Sequence, residues 1–259
     1  MAHAFKVRIE EVRVPAPDHV ELIVQSPELA EALPGQFCHV LTPGMLRRPI
    51  SFSRLERSGG RAGLLVQVVG SGTRWMAERQ AGECLDVLGP LGRGFEAPAA
   101  DRPWLLVGGG VGIPPVFAAA ETWGGAFAPS LHVVLGARFK DYLIMAEDFR
   151  TLGIEPVLAT DDGSVGHRGT VIPAVEDWVA QHPDGQVMAC GPTPMLAAVS
   201  RAAASLTGAV QLALEQRMGC GIGACLACVV PAEPIGAEGP RYRRVCTDGP
   251  VFRREELVF

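Results

Sequence analysis

The chain has 259 residues, of which 48% are apolar and 20% are charged, and its formal net charge is −5. This length fits one large domain or two ordinary ones, because typical domains have roughly 100 to 200 residues. The mildly acidic balance lacks the basic stripe that nucleic-acid or anionic-membrane binding requires, and the seven cysteines, an odd number, do not fit a secreted disulfide framework.

Residues 1–99 predict an antiparallel β-barrel domain. The N-terminus has charges at Lys6, Arg8 and Glu10 and no apolar segment, so we expect a cytoplasmic protein without a secretory signal. Short alternating or β-branched segments follow one another between turn residues, which is typical of a barrel or sandwich. The predicted strands are 5–14, 20–25, 35–41, 64–69 and 83–88, with a short helix at 72–80, a break at 89–95 and a linker at 97–103.

Residues 100–214 predict a doubly wound nucleotide domain. Strands are expected at 104–107, 131–135, 154–159, 186–189 and 210–214, and helices near 115–122, 142–151, 171–181 and 192–205. This alternation implies a parallel sheet with helices on both faces. The uncharged run 103–120 is long enough to raise the question of a membrane span, but glycines and prolines in its middle favour a strand, a turn and a helix.

Residues 215–259 are rich in cysteine, glycine and arginine and predict a small cluster-binding domain. Cys220, Cys225 and Cys228 followed by Cys246 have the C-x4-C-x2-C spacing of plant-type [2Fe-2S] ligands. Structural zinc is the main alternative, although it usually takes two short cysteine pairs. The other cysteines, Cys38, Cys84 and Cys190, are expected to be small buried apolar residues.

Glycine-rich turns follow two of the predicted strands in the nucleotide domain. The first contains Gly108, Gly109, Gly110 and Gly112. A strand that leads through glycines into a helix exposes backbone N–H groups to a phosphate, whereas the alternative is an ordinary tight turn. The segment Cys190, Gly191 and Pro192 repeats this pattern, and turns at the carboxyl ends of parallel strands face one crevice.

A third motif lies in the barrel. Arg48, Pro49, Ile50 and Ser51 precede Gly72 and Thr73, which open the predicted helix. An arginine, a hydroxyl group and helix N–H groups can hold a pyrophosphate. On spacing alone, a surface arginine and an ordinary helix N-cap are the simpler interpretation.

In this order the three motifs resemble the ferredoxin-NADP reductase superfamily, and more closely the electron transfer subunits of type B dihydroorotate dehydrogenases. The resemblance covers nearly the whole chain, with family-like stretches at 34–37, 48–51, 70–73, 89–92, 107–115, 162–164, 190–192, 220–228 and 245–252. It implies an FAD-binding barrel, an NAD-binding domain and a [2Fe-2S] domain. Gln67 stands where an arginine or similar polar residue is expected, so backbone contact is the safer assignment there.

The resemblance also implies roles for particular residues. FAD would be bound by Arg48, Pro49, Ile50, Ser51, Leu65, Val66, Gln67, Gly72 and Thr73. NAD would be bound by Gly108, Gly109, Gly110, Gly112, Cys190, Gly191 and Pro192, and the cluster by Cys220, Cys225, Cys228 and Cys246. Arg138 to Asp141 could influence the choice between NAD and NADP, which the sequence leaves open.

The implied activity is electron relay. A partner, the FMN-containing dihydroorotate dehydrogenase catalytic subunit, would supply electrons in a heterotetramer of two plus two subunits, and no catalytic acid, base or nucleophile is expected on this chain. His19, His132 and His167 are expected at the surface or in turns. One alternative is a similar subunit of a hydrogenase, sulfide reductase or transhydrogenase complex. In that case Arg241 to Arg244 would be either a docking patch for the partner or a solvated loop. The other alternative is a zinc-stabilised nucleotide-binding regulatory module.

Overall fold

The structure is a computed structural model that describes residues 3–44, 46–127, 130–234 and 241–259. Among these residues, no helix is both long and apolar enough to cross a membrane. The uncharged run that raised this question is instead a buried strand, a glycine turn and the start of a helix.

An antiparallel barrel forms the N-terminal part, as predicted. In the described part of the chain its six strands close in the order β1-β2-β5-β4-β3-β6. Inward and outward side chains alternate along β6, which is the period expected for a strand with one buried face. The strands are β1 (His3–Ala16), β2 (His19–Gln25), β3 (Phe37–Val40), β4 (Arg48–Glu56), β5 (Arg61–Gln67) and β6 (Cys84–Leu91), with helices α1 (Pro27–Ala30) and α2 (Ser71–Ala77).

A doubly wound sheet follows the barrel and confirms the predicted fold class. Seven of the described strands pair in the order β10-β9-β8-β7-β11-β12-β15, and the pairs are parallel except for β12 with β15. Buried side chains fill a core on each face of the sheet. The elements are β7 (Trp104–Gly109), α3 (Ile113–Phe127), β8 (Leu131–Ala137), α4 (Ala146–Thr151), β9 (Val157–Thr160), β10 (His167–Arg168), α5 (Ile172–Gln181), β11 (Gln186–Cys190), α6 (Thr193–Ala202) and β12 (Val210–Ala213).

The C-terminal segment forms a hairpin and then returns to the nucleotide sheet. Strands β13 (Val229–Pro231) and β14 (Tyr242–Arg244) pair with each other, and β15 (Val251–Arg253) adds to the sheet beside β12. The backbone N–H of Leu214 donates to the carbonyl of Pro250 at 2.9 Å. Cys228 and Cys246 are buried in the same core as the sheet. The boundaries 1–99, 100–214 and 215–259 stay a prediction, and the last segment is packed against its neighbour rather than tethered to it.

A network of charged side chains, with Glu21 buried at its centre, joins the barrel to the nucleotide domain. Arg54 on β4 donates to Glu21 Oε1 at 3.0 Å and to Asp148 Oδ1 on α4 at 2.6 Å. Its guanidinium also lies 5.0 Å from the ring centroid of Phe117 on α3. Ser53 completes the network by donating to Glu21 at 2.7 Å. The network therefore links elements of the two domains through one arginine.

Two expectations about single residues are wrong. His19 is 4% exposed rather than at the surface, because it starts β2 at the junction of the domains, where its ring meets the ring of Tyr142 edge-on. Cys84 is exposed rather than buried, because it is the first residue of β6 and points outward in the alternation of that strand.

Candidate functional site

A cleft of about 700 Å³ lies between the barrel and the nucleotide domain. Clefts of this size are typical of ligand sites. Apolar strand residues and two neighbouring arginines form its barrel side. Its lining includes the predicted residues Arg48, Pro49, Ile50, Ser51, Leu65, Val66, Gln67, Thr73, Gly112, Cys190, Gly191 and Pro192.

Arg48 and Gly72 come together in the barrel, as their assignment to one site requires. A Cβ atom on Gly72 would lie 2.6 Å from Nε of Arg48, so a side chain at this position would displace the guanidinium from its present place. Arg47 lines the same cleft, donates to Asp86 Oδ1 at 2.6 Å and adds a second cation that the sequence reasoning missed. The Arg-Arg doublet at 47–48 was the available signal. This wall is suited to a diphosphate because the Arg48 guanidinium can donate charge-assisted hydrogen bonds, whereas the charge of Arg47 is compensated by Asp86.

Thr73 has a different geometry from the one expected. Its hydroxyl oxygen accepts from the backbone N–H groups of Val69 at 2.9 Å and Gly70 at 3.0 Å. The hydroxyl also lies 3.1 Å from the Gly70 carbonyl, to which it donates. The hydrogen bonds of this hydroxyl are thus used to fix the start of α2. A ligand that contacts Thr73 would have to bind atoms other than the hydroxyl.

A second cleft, of about 530 Å³, opens at the carboxyl ends of β7, β8 and β11. Gly109, Gly110 and Pro192 line it, together with the aromatic side chains of Phe139 and Tyr142. Its other lining residues include Gly136, Arg138, Asp161, Thr170, Met195 and Glu215. Ligands of doubly wound sheets bind at this edge of the sheet, so the position fits a nucleotide.

The glycines of the β7 turn serve different purposes. Gly110 has φ 54°, a conformation that favours glycine. Gly112 lies so close to the carbonyl of Cys190 that a Cβ would collide with the backbone. Gly108 lines neither cleft; a Cβ there would lie 2.8 Å from Val116 Cγ2, so this glycine lets α3 pack on the strand.

The clefts share Gln67, Val111, Pro192 and Glu215 as wall residues. Glu215 lies two residues after the end of β12 and was not predicted, because only the packing of the sheet on the barrel brings it here. Burial, and then the negative charge of Glu215, raises the pKa of the Cys190 thiol to about 12. Cys190 is therefore a neutral thiol at pH 7, which is the less reactive form of a cysteine.

The predicted cluster ligands lie together as two pairs. The backbone N–H of Cys225 lies 3.4 Å from Sγ of Cys220, and that of Cys246 lies 3.4 Å from Sγ of Cys228. The first pair is at the surface or half-buried, whereas Cys228 and Cys246 are buried. The four thiols thus span the distance from the core to the surface of the C-terminal segment.

The loop conformation depends on left-handed residues. Gly221, Gly223 and Leu226 have φ of 72°, 81° and 59°. These turns bring several backbone N–H groups toward the first cysteine of the motif. Burial opposes ionisation of Cys220, but hydrogen bonds from the N–H groups of Ile222, Cys225 and Ala224 outweigh it and lower the pKa of the thiol to about 6. A thiolate is the form that ligates metal.

The donor set fits a two-iron cluster better than one zinc ion. Two sulfur pairs match a centre in which each of two irons takes two thiolates. A structural zinc site would instead need four ligands around one point.

Two family descriptions match the chain. The iron-sulfur cluster binding domain of dihydroorotate dehydrogenase B matches residues 215–258, and the oxidoreductase NAD-binding domain matches residues 106–201. These ranges contain the cysteine pairs and the glycine turns described above. The chain thus carries a domain of each kind.

Curated relatives and solved structures agree with these matches. The electron transfer subunit of dihydroorotate dehydrogenase B (NAD(+)) from Geobacillus kaustophilus is 43% identical over 87% of this chain and 86% of the relative. That of Desulforamulus reducens is 34% identical over the full length of both chains. A structure of an NADH-dependent reduced ferredoxin-NADP oxidoreductase, reported for flavin-based electron bifurcation, is 30% identical with a TM-score of 0.80 and covers 97% of this chain and 89% of its own.

A more distant structure bears on the fold alone. The ferredoxin NADP+ reductase of Neisseria gonorrhoeae with bound FAD and NADP is 18% identical, with a TM-score of 0.66 over 80% of this chain and 93% of that one. The barrel and doubly wound sheet therefore have the ferredoxin-NADP reductase arrangement. Identity above 30% along most of the sequence, together with the matched cluster domain, is more specific. The chain belongs to the family of electron transfer subunits of dihydroorotate dehydrogenase B (NAD(+)).

Proposed function

We propose that this chain relays electrons from dihydroorotate, oxidised on the FMN of a catalytic partner subunit, through a [2Fe-2S] cluster and FAD to NAD+. The observation that carries the proposal is the contact between sites. The clefts share a wall at Gln67 and Glu215, and Phe37, which lines the first cleft, packs in the same core as Cys228 and Cys246. Each site thus adjoins the next.

The FAD site is assigned to the first cleft. Arg48 would bind the pyrophosphate beside the Arg47–Asp86 ion pair, and the backbone of Leu65, Val66 and Gln67 would border the flavin ring, with the apolar side chains excluding water. When bound, FAD supplies the chemistry that joins one-electron transfer to two-electron transfer. The chain's contribution is to hold its three redox groups in order.

The NAD site is assigned to the second cleft. The backbone of the glycine turn at Gly109 and Gly110 lines this cleft, so its N–H groups are in place to bind a phosphate. Gly191 and Pro192 border the wall where the two sites adjoin. Arg138 lines the cleft, so it is in place to contact the ribose end of a dinucleotide.

The partner subunit is proposed to dock on the cysteine loop. Ile222 and Leu226 are 57% and 59% exposed on either side of the exposed Cys225, so apolar surface surrounds the outer sulfur pair. Arg244 is held by Asp248, with Nη2–Oδ1 at 2.9 Å, and therefore supports the loop itself. A heterotetramer of two plus two subunits is the stoichiometry we propose. A cytoplasmic location accords with all seven cysteines being free.

The test is reduction of the bound flavin by dihydroorotate. Mixed anaerobically with the FMN-containing catalytic subunit, the purified chain is expected to lose its flavin absorbance on addition of dihydroorotate and to regain it on addition of NAD+. The chain without the partner is the control and should respond to NADH only. A flavin that NADH reduces but that dihydroorotate leaves oxidised in the presence of the partner would refute the proposal.

A second candidate keeps the cofactors and changes the partner. The 30% identity to an NADH-dependent ferredoxin-NADP oxidoreductase favours it, because that protein belongs to a different redox system. Affinity purification from the native cell separates the candidates. Recovery of a hydrogenase, sulfide reductase or second flavoprotein instead of an FMN-containing dihydroorotate dehydrogenase would select the alternative.

A further inference from the structure

His39 is a buried histidine without hydrogen bonds on its ring. It lies on β3, is 0% exposed, and pairs in register with Pro49 and Leu88. Neither Nδ1 nor Nε2 has a hydrogen-bond partner among the described residues. Buried polar groups in native proteins nearly always have partners, and leaving one unpaired is destabilising. The ring nitrogens are therefore expected to bind a hydrogen-bond partner other than the described protein residues.

The ring of His39 contacts the cysteine loop, with the backbone of Gly221 lying over the ring near Cε1. A Cβ on Gly221 would lie 2.8 Å from Cε1, 2.9 Å from Nε2 and 3.0 Å from Nδ1 of His39. Gly221 follows Cys220 directly in the chain and has φ 72°. Both ring nitrogens thus lie next to the segment that holds the first cysteine.

His39 also lies beside the wall of the first cleft. Its ring centroid is 5.7 Å from that of Phe37, which lines the cleft and belongs to the same hydrophobic core as Cys228 and Cys246. Its carbonyl accepts a hydrogen bond from Arg47 Nη1 at 3.3 Å. Burial, and then the charge of Arg47, lowers the pKa of His39 to about 4. The imidazole is therefore neutral at pH 7, with one N–H to donate.

We propose that His39 is a positioning residue of the iron-sulfur cluster, whose ring supports the loop at Gly221 and donates one N–H to a sulfur of the cluster. The inference rests on the four cysteines being ligands, as in the proposed function. A hydrogen bond to sulfur stabilises the reduced cluster, which carries one more negative charge, and therefore raises its reduction potential. The barrel thus contributes to the potential of a centre bound by another part of the chain.

The first measurement is a redox titration of the cluster followed by its EPR signal in the full-length chain. His39→Phe retains a ring but removes the N–H. We expect the cluster to assemble and its potential to fall, with the reduced-to-oxidised ratio at a given potential dropping about tenfold, equivalent to about 59 mV for one electron. His39→Gln restores an N–H donor and is expected to recover most of the shift. His132→Phe, an exposed histidine elsewhere, should change nothing.

The second measurement identifies the bond directly. With ¹⁵N-labelled histidine, pulsed EPR of the reduced cluster is expected to show a weak nitrogen coupling that persists in His132→Phe and is lost in His39→Gln. An unchanged potential in His39→Phe, or no histidine coupling in the unaltered protein, overturns the proposal. If His39→Phe fails to retain a cluster, the histidine coupling in the unaltered protein and its loss in His39→Gln decide.

These measurements are independent of the partner. Neither uses dihydroorotate or a catalytic subunit, so a negative result leaves the proposed function intact. Absence of any cluster signal in the unaltered protein would instead refute the assignment of the cysteines, and with it both proposals.

Discussion

Replacing Arg54 tests how the barrel is held against the nucleotide domain. Arg54→Met keeps much of the side-chain length but removes the guanidinium that joins Glu21 to Asp148 and lies over Phe117. These contacts link β4 with α3 and α4. We expect Arg54→Met to lower the thermal stability strongly, and to do so more than any change at the Asp148 end of the network.

The magnitude follows from the burial of each partner. Glu21 is 2% exposed, and breaking a buried ion pair costs about 3 to 5 kcal/mol. The lower figure applies because Ser53 still donates to Glu21, and Arg13 remains 3.8 Å away. Asp148 is 34% exposed, so its pair contributes about 0.2 to 1 kcal/mol. At about 2 to 4 °C per kcal/mol, Arg54→Met should lower Tm by about 6 to 12 °C, and Asp148→Asn by under about 4 °C.

Thermal unfolding of the two variants and of Arg54→Met combined with Glu21→Gln provides the assay. The double variant should regain part of the lost stability, because no ionised carboxylate is then left unpaired in the interior. If Arg54→Met lowered Tm no more than Asp148→Asn did, the argument from burial would be wrong. If the double variant were less stable than Arg54→Met, the unpaired charge of Glu21 could not be the cause.

Three further predictions concern single sites. Cys225→Ser should abolish the absorbance and EPR signal of the cluster while the FAD content stays the same; loss of both cofactors would contradict the proposed separation of their sites. Arg48→Ala should weaken FAD binding by about 1.5 to 3 kcal/mol, or roughly 10- to 150-fold in Kd, if the arginine contacts phosphate; an unchanged Kd in a fluorescence titration would refute that contact. Burial raises the pKa of Glu121 above its usual value, although the N–H of Leu55 donates to it. A raised carboxyl pKa destabilises the fold above that pKa, so Glu121→Gln should raise Tm at pH 7 to 8, and the gain should shrink as the pH falls below the pKa; a gain that grew on acidification would reverse the assignment.

Much of the fold could be predicted from local patterns. Every predicted strand and helix corresponds to an observed element, with ends shifted by a few residues. The predicted and observed ends differ where pairing with a neighbouring strand determines how far a strand extends. Strand β6 continues to Leu91 through the predicted break because β1 and β3 pair with it, and β9 begins only at Val157, where β8 becomes available as a partner.

The parts of the candidate site that depend on local sequence were predictable, and the parts that depend on packing were not. The cysteine spacing and the glycine turns specify their own local geometry, since a left-handed residue or a strand-to-helix turn depends on near neighbours in the chain. Glu215 and His39 carry no such signature, because one lies in a segment with little periodicity and the other reads as an ordinary strand residue.

The sequence by itself determined the order of the domains, the doubly wound sheet and the cysteine motif, because these follow from periodicity and spacing along the chain. Only the tertiary structure decided which surfaces meet. The packing of the barrel on the sheet places Glu215 between the clefts, and the return of β15 to the nucleotide sheet fixes the C-terminal segment so that Gly221 contacts His39. Contacts between residues far apart in the chain depend on how whole faces pack, and no local pattern records them.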